Sequence, residues 1–119
     1  MDASRNKPKA GEVLAKAVKR ASQELGVGSC QLALILGTDK SKFVTYIDPE
    51  SIEGFRARRL ILIFRYLHIL LGGESSSMAH WVKTKNRKFS SSPIECMQTA
   101  SGLDEIIAYL ESLNLSNGE

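Results

Sequence analysis

Apolar residues recur at every third or fourth position along most of this chain, which is the spacing of helices that bury one face. The first such stretch runs from about Gly11 to Leu25, and Gly26 follows it as a candidate C-terminal cap. Residues 1–9 are polar and are predicted to form a flexible tail. Because no segment alternates apolar and polar residues as a half-buried strand does, the pattern predicts an all-α fold.

Two short helices are predicted next, at about residues 30–36 and 39–47, with Gly37 between them. A longer helix is predicted from Pro49 to about residue 71, since proline is tolerated at the first helical position. Its second half is apolar almost all the way round, which requires burial on several sides. A subunit interface is a natural second burial surface in so small a chain. We therefore expect a homodimer, with four candidate contacts at Leu60, Phe64, Leu67 and Leu71.

The remaining helices are short and well marked at their starts. Gly72-Gly73 ends the long helix, and a helix from about Met78 to Lys83 follows a polar connector. Ser92-Pro93-Ile94-Glu95 has the pattern of a capping box with proline at the first helical position. The last helix is predicted to begin near Ser101 and carries an apolar stripe from Leu103 to Leu113. We expect a bundle over residues 10–73 and a small helical domain over residues 74–119, joined by the long helix.

The charge of the chain is unevenly distributed. The net charge is +3, but residues 1–66 hold 12 basic and 7 acidic residues, whereas residues 67–119 hold 4 and 6. This division fits one surface for phosphate and another for a protein partner, and it fits uneven decoration of solvent faces equally well. Two widely separated cysteines, and no apolar signal sequence after Met1, lead us to expect a cytoplasmic protein. The longest apolar run is too short to span a bilayer.

The segment from Leu25 to Ile47 resembles a helix-turn-helix of the Xre type. Ala33 is small enough for a helix crossing, and Gly37 tolerates the positive φ that such a turn requires. If the third helix enters a major groove, the candidate DNA contacts are Gln31, Lys40, Ser41, Lys42 and Thr45. The lysines suit phosphate better than bases. The alternative is a helix-turn-helix kept as a scaffold or a dimerisation element.

A second resemblance covers the C-terminal half. The residues that carry it are Trp81-Val82, Thr84-Lys85-Asn86, Phe89, Pro93-Ile94-Glu95 and Gly102-Leu103. Their spacing resembles that of the C-terminal domain of the Xre–MbcA–ParS antitoxin family. This chain departs from the family pattern at Lys85, where proline is usual, and at Ser90-Ser91, where glycines are usual. The resemblance as a whole extends over about residues 12–113 and is stronger in the second half.

The resemblance implies a protein that binds a toxin, covers its active-site cleft and represses its own operon. Several toxins paired with this family consume NAD through a RES domain. The candidate toxin contacts are Trp81, Lys83, Lys85, Asn86, Arg87 and Tyr109. Taken alone, the residues also allow plainer roles: a core tryptophan, a turn-capping asparagine, a solvated cationic edge and a surface tyrosine.

An enzyme is not expected. His68 and His80 have no metal-type partner at the next helical turn, and the loop serines lack a nucleophile-elbow pattern. Gly26-Val27-Gly28 lacks the third glycine and the preceding strand of a dinucleotide site, so we expect no cofactor and no metal. Two rivals to the autoregulating antitoxin remain: a stand-alone helix-turn-helix regulator without a toxin, and a neutraliser that no longer contacts DNA.

Overall fold

The computed structural model describes residues 3–43 and 45–117, and the side chains of residues 10–43 and 45–115. The expected all-α fold is confirmed: these residues form six α-helices and one 3₁₀ turn, without a strand. The helices are α1 (Ala3–Glu24), α2 (Ser29–Leu36), α3 (Ile52–Leu70), α4 (Ser75–Lys83), α5 (Pro93–Cys96) and α6 (Ala100–Asn117), and the 3₁₀ turn is Lys40–Phe43. No helix among the described residues is long and apolar enough to cross a membrane.

The first helix begins earlier than its apolar face. It starts at Ala3, so it includes seven of the nine residues for which the sequence predicts a flexible tail; residues 1 and 2 lie outside the described part. Helix formation does not require an apolar face in every turn, so these polar residues extend α1 ahead of its apolar face. The end of the helix agrees with the prediction, because Gly26 has a positive φ of 70°.

The prediction of a third α-helix at about residues 39–47, the second helix of the helix-turn-helix, is wrong. After α2 ends at Gly37, which has the left-handed conformation expected of it, the chain forms only one 3₁₀ turn. The backbone N–H of Ile47 then donates to the carbonyl of Gly11 in α1, 3.1 Å away. This hydrogen bond holds the segment against α1 in a non-helical path, so a contact made across the fold has overridden the local apolar spacing.

Helix α3 starts at Ile52 rather than at Pro49. Ser51 is its N-cap, and the Ser51 hydroxyl accepts a 3.0 Å hydrogen bond from the N–H of Gly54. Asp48 and Pro49 form the turn that precedes this cap, and the Asp48 carboxylate accepts from the N–H of Glu50. The helix ends where the sequence predicts, because Gly72 and Gly73 have φ of 68° and 78° and do not continue it.

One hydrophobic core extends from α1 to α6. The most extensive contact between two helices joins α3 to α6, followed by α3 to α1. Fully buried residues from both halves of the chain lie in this single cluster, among them Val18, Ile35, Leu60, Leu67, Leu103, Ile106 and Leu110. The proposed units 10–73 and 74–119 therefore share their interior, and α3 is covered largely by other helices of the same chain.

This shared core changes the interpretation of the apolar half of α3. Leu60 is 0% exposed and Leu67 is 1% exposed, so neither side chain is available to a second subunit. The assignment of these two residues to a dimer contact is wrong, because α1 and α6 supply the additional burial that the all-round apolar pattern requires. Phe64 and Leu71 remain half-buried at the edge of the core.

Two later helices also start at residues other than those predicted. Helix α4 begins at Ser75 rather than Met78. Helix α6 begins at Ala100, and its capping side chain is Thr99, whose hydroxyl accepts from the N–H of Gly102 at 3.0 Å. The start predicted at Ser92-Pro93 is confirmed, since the Glu95 carboxylate reaches back to accept from the N–H of Ser92 at 3.3 Å.

Candidate functional site

A tight turn between α4 and α5 forms the centre of the candidate site, and we name residues 84–92 the elbow. Asn86 closes it in three ways. Its Oδ1 accepts from the N–H of Lys88 at 2.9 Å, its N–H donates to the carbonyl of Ser91 at 2.9 Å, and its own carbonyl accepts from the N–H of Phe89 at 3.1 Å. Asn86 is half-buried. It therefore orders the turn from within, which agrees with the turn-capping role that its residue type suggests.

Ser90 adopts a left-handed conformation with φ of 60°, the only positive φ of a non-glycine residue among the described parts of the chain. This conformation brings Ser91 back to pair with Asn86. A β-carbon makes the left-handed region unfavourable by about 1–2 kcal/mol, and glycine avoids this cost. The elbow keeps its closed shape here despite the serine.

Three aromatic rings connect the elbow to the helices on either side of it. Phe89 packs edge-on against Trp81 of α4, with ring centroids 6.4 Å apart, and edge-on against Tyr109 of α6, at 5.5 Å. All three side chains are half-buried and pack against the core. We name Trp81, Phe89 and Tyr109 the aromatic cluster. Tyr109, which the sequence also allowed as a plain surface tyrosine, is half-buried with its ring against Phe89.

The four cations of this region divide into two groups. Lys83 extends toward the C-terminal end of α1, where its ammonium lies beside Gly26. A cation at a helix C-terminus is stabilised by the partial negative charge of the unpaired carbonyls, so Lys83 has a structural use. Lys85, Arg87 and Lys88 lie on the elbow and are exposed. Lys88 reaches toward Tyr109, with 5.9 Å between its ammonium and the ring centroid.

Two side chains that lie beside carboxylates of α6 have raised pKa values. The Cys96 thiol lies 3.7 Å from Oε1 of Glu105, and burial, followed by the charge of Glu105, raises the pKa of Cys96. The Tyr66 hydroxyl donates to Oε2 of Glu111 at 3.0 Å, and this hydrogen bond is the main reason that the pKa of Tyr66 is raised. Tyr66 and Glu111 thereby link α3 to α6.

The candidate DNA contacts are exposed but do not share a recognition helix. Lys40, Ser41 and Lys42 lie on the single 3₁₀ turn, and Thr45 lies after it. The Gln31 side chain is used within its own helix, because its Oε1 accepts a 3.4 Å hydrogen bond from the N–H of Gly28 at the start of α2. The chain therefore presents two lysines for phosphate without a helix long enough to carry several base contacts along a groove.

The remaining dimer candidates lie beside two surface grooves. Phe64 lines a groove of about 460 Å³ between α1 and α3, whose rim carries Arg20, Glu24 and Arg65. Leu71 lines a second groove, of about 350 Å³, together with Trp81. Both hydrophobic side chains are thus partly open to solvent within one chain. No group of three or more metal-ligating side chains occurs among the described residues.

Comparison with known proteins identifies the segment that contains the elbow. Residues 67–114 match the family model described as the antitoxin Xre/MbcA/ParS C-terminal toxin-binding domain. The match confirms the resemblance that the sequence shows over this segment. It begins in the last turn of α3 and ends inside α6, so it includes α4, the elbow, α5 and most of α6. No curated protein matches the chain.

The family supports a role as an antitoxin and implies a toxin as the partner. Trp81, Asn86 and Tyr109 are brought together around the elbow, with Lys85 and Arg87 on its exposed side, whereas Lys83 extends away toward α1. Phe89 was missed as a site residue, although it joins the other two aromatic rings. The signal available in the sequence was a single aromatic residue in an otherwise polar loop, at a spacing that resembles the family's.

Proposed function

We propose that this chain is the antitoxin of a type II toxin–antitoxin pair, and that it neutralises the toxin by covering its active site. The observation that carries this proposal is the ordered elbow, with its aromatic cluster and exposed cations, inside a segment that matches a toxin-binding domain. Half-buried aromatic rings beside charged side chains are the usual composition of an interface hot spot. The neutralisation is steric and needs no catalytic group.

A RES-type, NAD-consuming enzyme is the toxin that we propose as the partner. The basis is the family resemblance, since RES toxins are among those paired with this family. A rigid elbow suits such a role because an ordered loop loses little conformational entropy when it binds in a cleft. The elbow is closed by three hydrogen bonds of Asn86, so it is ordered before any partner arrives.

Co-expression with the neighbouring reading frame tests this function. Growth should stop when the neighbour is expressed alone and recover when the intact chain is expressed with it. In vitro, the purified neighbour should consume NAD, and an equimolar amount of this chain should stop that consumption. A control with Lys40→Glu and Lys42→Glu should still neutralise, because these lysines lie outside the matched segment. A harmless neighbour, or a toxic one that the chain does not rescue, would contradict the proposal.

Repression of its own operon is the second part of the proposal. Its support is a pair of exposed lysines, Lys40 and Lys42, on a segment that resembles an Xre helix-turn-helix. The short 3₁₀ turn favours the rival in which the chain neutralises without binding DNA, because bidentate base contacts need side chains along a helix or ribbon in the groove. Gel shifts on the upstream region, with and without the toxin, separate the two. A specific shift that Lys42→Glu weakens supports repression, and no specific shift overturns it.

The alternative function is a stand-alone helix-turn-helix regulator without a toxin. It predicts specific binding to DNA by this chain alone and no complex with the neighbour. A non-specific binder is distinguished from both by its salt dependence, since phosphate contacts alone weaken steeply as salt rises and show little preference between sequences. Gel shifts at several salt concentrations therefore separate specific from non-specific binding to DNA, and the presence or absence of a complex with the neighbour separates the antitoxin from the stand-alone regulator.

A homodimer in the cytoplasm completes the proposal. The groove lined by Phe64 offers an apolar floor with basic and acidic side chains on its rim, a composition that a second copy can complement with the same surface. Light scattering should give about twice the chain mass of 13.1 kDa at micromolar concentration. Phe64→Glu should return the protein to a monomer, and a wild-type protein that is already monomeric would contradict the dimer.

A further inference from the structure

Two exposed cations of the elbow have no internal contact that explains their position. Lys83 is used at the end of α1, and Lys88 is directed toward the ring of Tyr109. For Lys85 and Arg87, the described residues offer neither an ion pair nor a side-chain hydrogen bond. Two unpaired cations therefore project from a turn whose backbone is fixed by Asn86.

We propose that Lys85, Arg87 and Lys88 form a preorganised cationic edge that docks on an acidic surface of the toxin. This inference rests on the proposed function and names the chemistry of the partner surface: carboxylates at the rim or mouth of the cleft that the antitoxin covers. Its support is that Lys85 and Arg87 lie two residues apart on one ordered turn, exposed and without a partner among the described side chains.

The order of the elbow fixes the backbone positions from which these side chains project. A charge on a mobile loop loses much of its attraction to the entropy of ordering, whereas a charge on a closed turn does not. The Asn86 side chain accepts a hydrogen bond from the backbone N–H of Lys88. The next residue, Phe89, packs its ring between Trp81 and Tyr109. The cationic edge is thus supported by a rigid apolar base.

Nucleic acid is the other partner that three cations could attract, and the aromatic cluster argues against it. Single-stranded nucleic acid is bound by aromatic rings whose faces are free to stack on bases. Here Phe89 meets its neighbours edge-on, at interplanar angles of 81° and 89°, and all three rings are packed against the core.

An acidic partner surface has a definite kinetic consequence. Complementary charges mainly accelerate association, by up to a few orders of magnitude at low salt, and salt removes this acceleration. The rate of dissociation depends more on the buried aromatic contacts. We therefore expect the double variant Lys85→Glu and Arg87→Glu to associate with the toxin at least about tenfold more slowly at low salt. The two proteins should converge as salt rises.

The test measures association rates between the full-length chain and the product of the neighbouring reading frame, from about 20 mM to 500 mM salt, spanning long and short screening lengths. The matched control is Lys16→Glu with Arg58→Glu, which changes the net charge equally at exposed positions outside the elbow. Thermal unfolding of each variant verifies that the fold is kept. The inference predicts a slow, salt-insensitive elbow variant and a control that associates almost as fast as the wild type.

Each other outcome has a defined meaning. If the wild-type chain does not bind the neighbour, the proposed function fails and the inference fails with it. If the wild type binds but both variants associate at the wild-type rate, or both are slowed equally, the function stands and the cationic edge is overturned. If the elbow variant loses a gel shift on nucleic acid and keeps its association rate with the toxin, the edge is a nucleic-acid surface instead.

Discussion

Phe89 of the elbow packs edge-on against Tyr109 of α6, with ring centroids 5.5 Å apart and ring planes at 89°. The two residues are twenty positions apart, and the contact fixes the elbow to the helix that also covers α3. An edge-to-face pair of this kind contributes about 0.5–1.5 kcal/mol beyond the burial of its surface. The shape of the candidate binding surface and the stability of the shared core are therefore coupled through one pair of rings.

A double-mutant cycle on this pair should reveal the coupling. We expect Phe89→Ala and Tyr109→Ala each to lower the free energy of unfolding by about 2 kcal/mol, less than for fully buried aromatic residues. The double variant should lose less than the sum, by about 0.5–1.5 kcal/mol. Urea unfolding measures all three. Tyr109→Phe is the control and should stay within about 0.5 kcal/mol of the wild type, because it keeps the ring. If the double variant lost the full sum of the two single free-energy losses, the contact between the rings would be contradicted.

The left-handed conformation of Ser90 leads to a second prediction. Ser90→Gly should be neutral or stabilising by up to about 1 kcal/mol, because the strain relieved exceeds or equals the entropy that glycine adds to the unfolded chain. Ser90→Val should lower the unfolding free energy by more than about 1 kcal/mol, because a β-branched residue resists a positive φ. The melting temperatures of the two variants give the comparison. Equal destabilisation by glycine and valine would be inconsistent with a φ of 60°.

Much of this fold could be predicted from the sequence because its long helices carry their own signals. The period of α6 and the capping box at Ser92 depend on residues three or four positions apart, and the structure has both. The 3₁₀ turn at Lys40–Phe43 could not be predicted in this way, since its end is fixed by a backbone bond from Ile47 to Gly11. Apolar spacing does not distinguish a short helix from a turn held by such a contact.

Most residues of the candidate site could be predicted from the sequence, but the contacts between them could not. Trp81, Asn86 and Tyr109 could be selected by type and by resemblance. The direction of Lys83 toward Gly26 joins positions far apart in the chain, and so does the contact of Phe89 with Tyr109. Leu67 was predicted at a dimer contact, and it is buried within the chain instead. The sequence shows that a helix face is apolar, but only the packing shows which element covers it.

The shared core predicts that neither half folds well alone. A chain truncated after Gly73 would expose Leu60 and Leu67, which are 0% and 1% exposed in the intact protein. Burying each leucine contributes about 1.5–3 kcal/mol, so the fragment should lose most of its stability. Circular dichroism should find it largely unfolded at 25 °C. A fragment that melts cooperatively near the wild-type temperature would mean that the two halves fold independently, and it would support the predicted division at residue 73.

Gly102 provides a sharper test of the packing between α5 and α6. A β-carbon at this position would overlap the carbonyl oxygen of Cys96, a backbone atom that cannot rotate away. Gly102→Ala should therefore lower the unfolding free energy by about 1–3 kcal/mol, the usual cost of overpacking. Gly28→Ala is the matched control, since nothing lies within 4 Å of a β-carbon there. The control should cost no more than about 1 kcal/mol, because alanine caps a helix less well than glycine.

The hydrogen bond from Tyr66 to Glu111 predicts how stability changes at alkaline pH. The carboxylate raises the pKa of Tyr66 above its ordinary value of 10.0, chiefly by accepting this bond, so the folded state favours the neutral phenol. The stabilisation is then fully present below pH 10 and is lost as the pH rises through the higher pKa of the folded state. It amounts to less than about 1 kcal/mol, because both side chains are reached by solvent. Urea unfolding of the wild type and Tyr66→Phe from pH 7 to 11 should show the wild type more stable at neutral pH, with the difference closing above pH 10. Glu111→Gln should flatten the alkaline loss, whereas a difference that is constant with pH would exclude the bond as its origin.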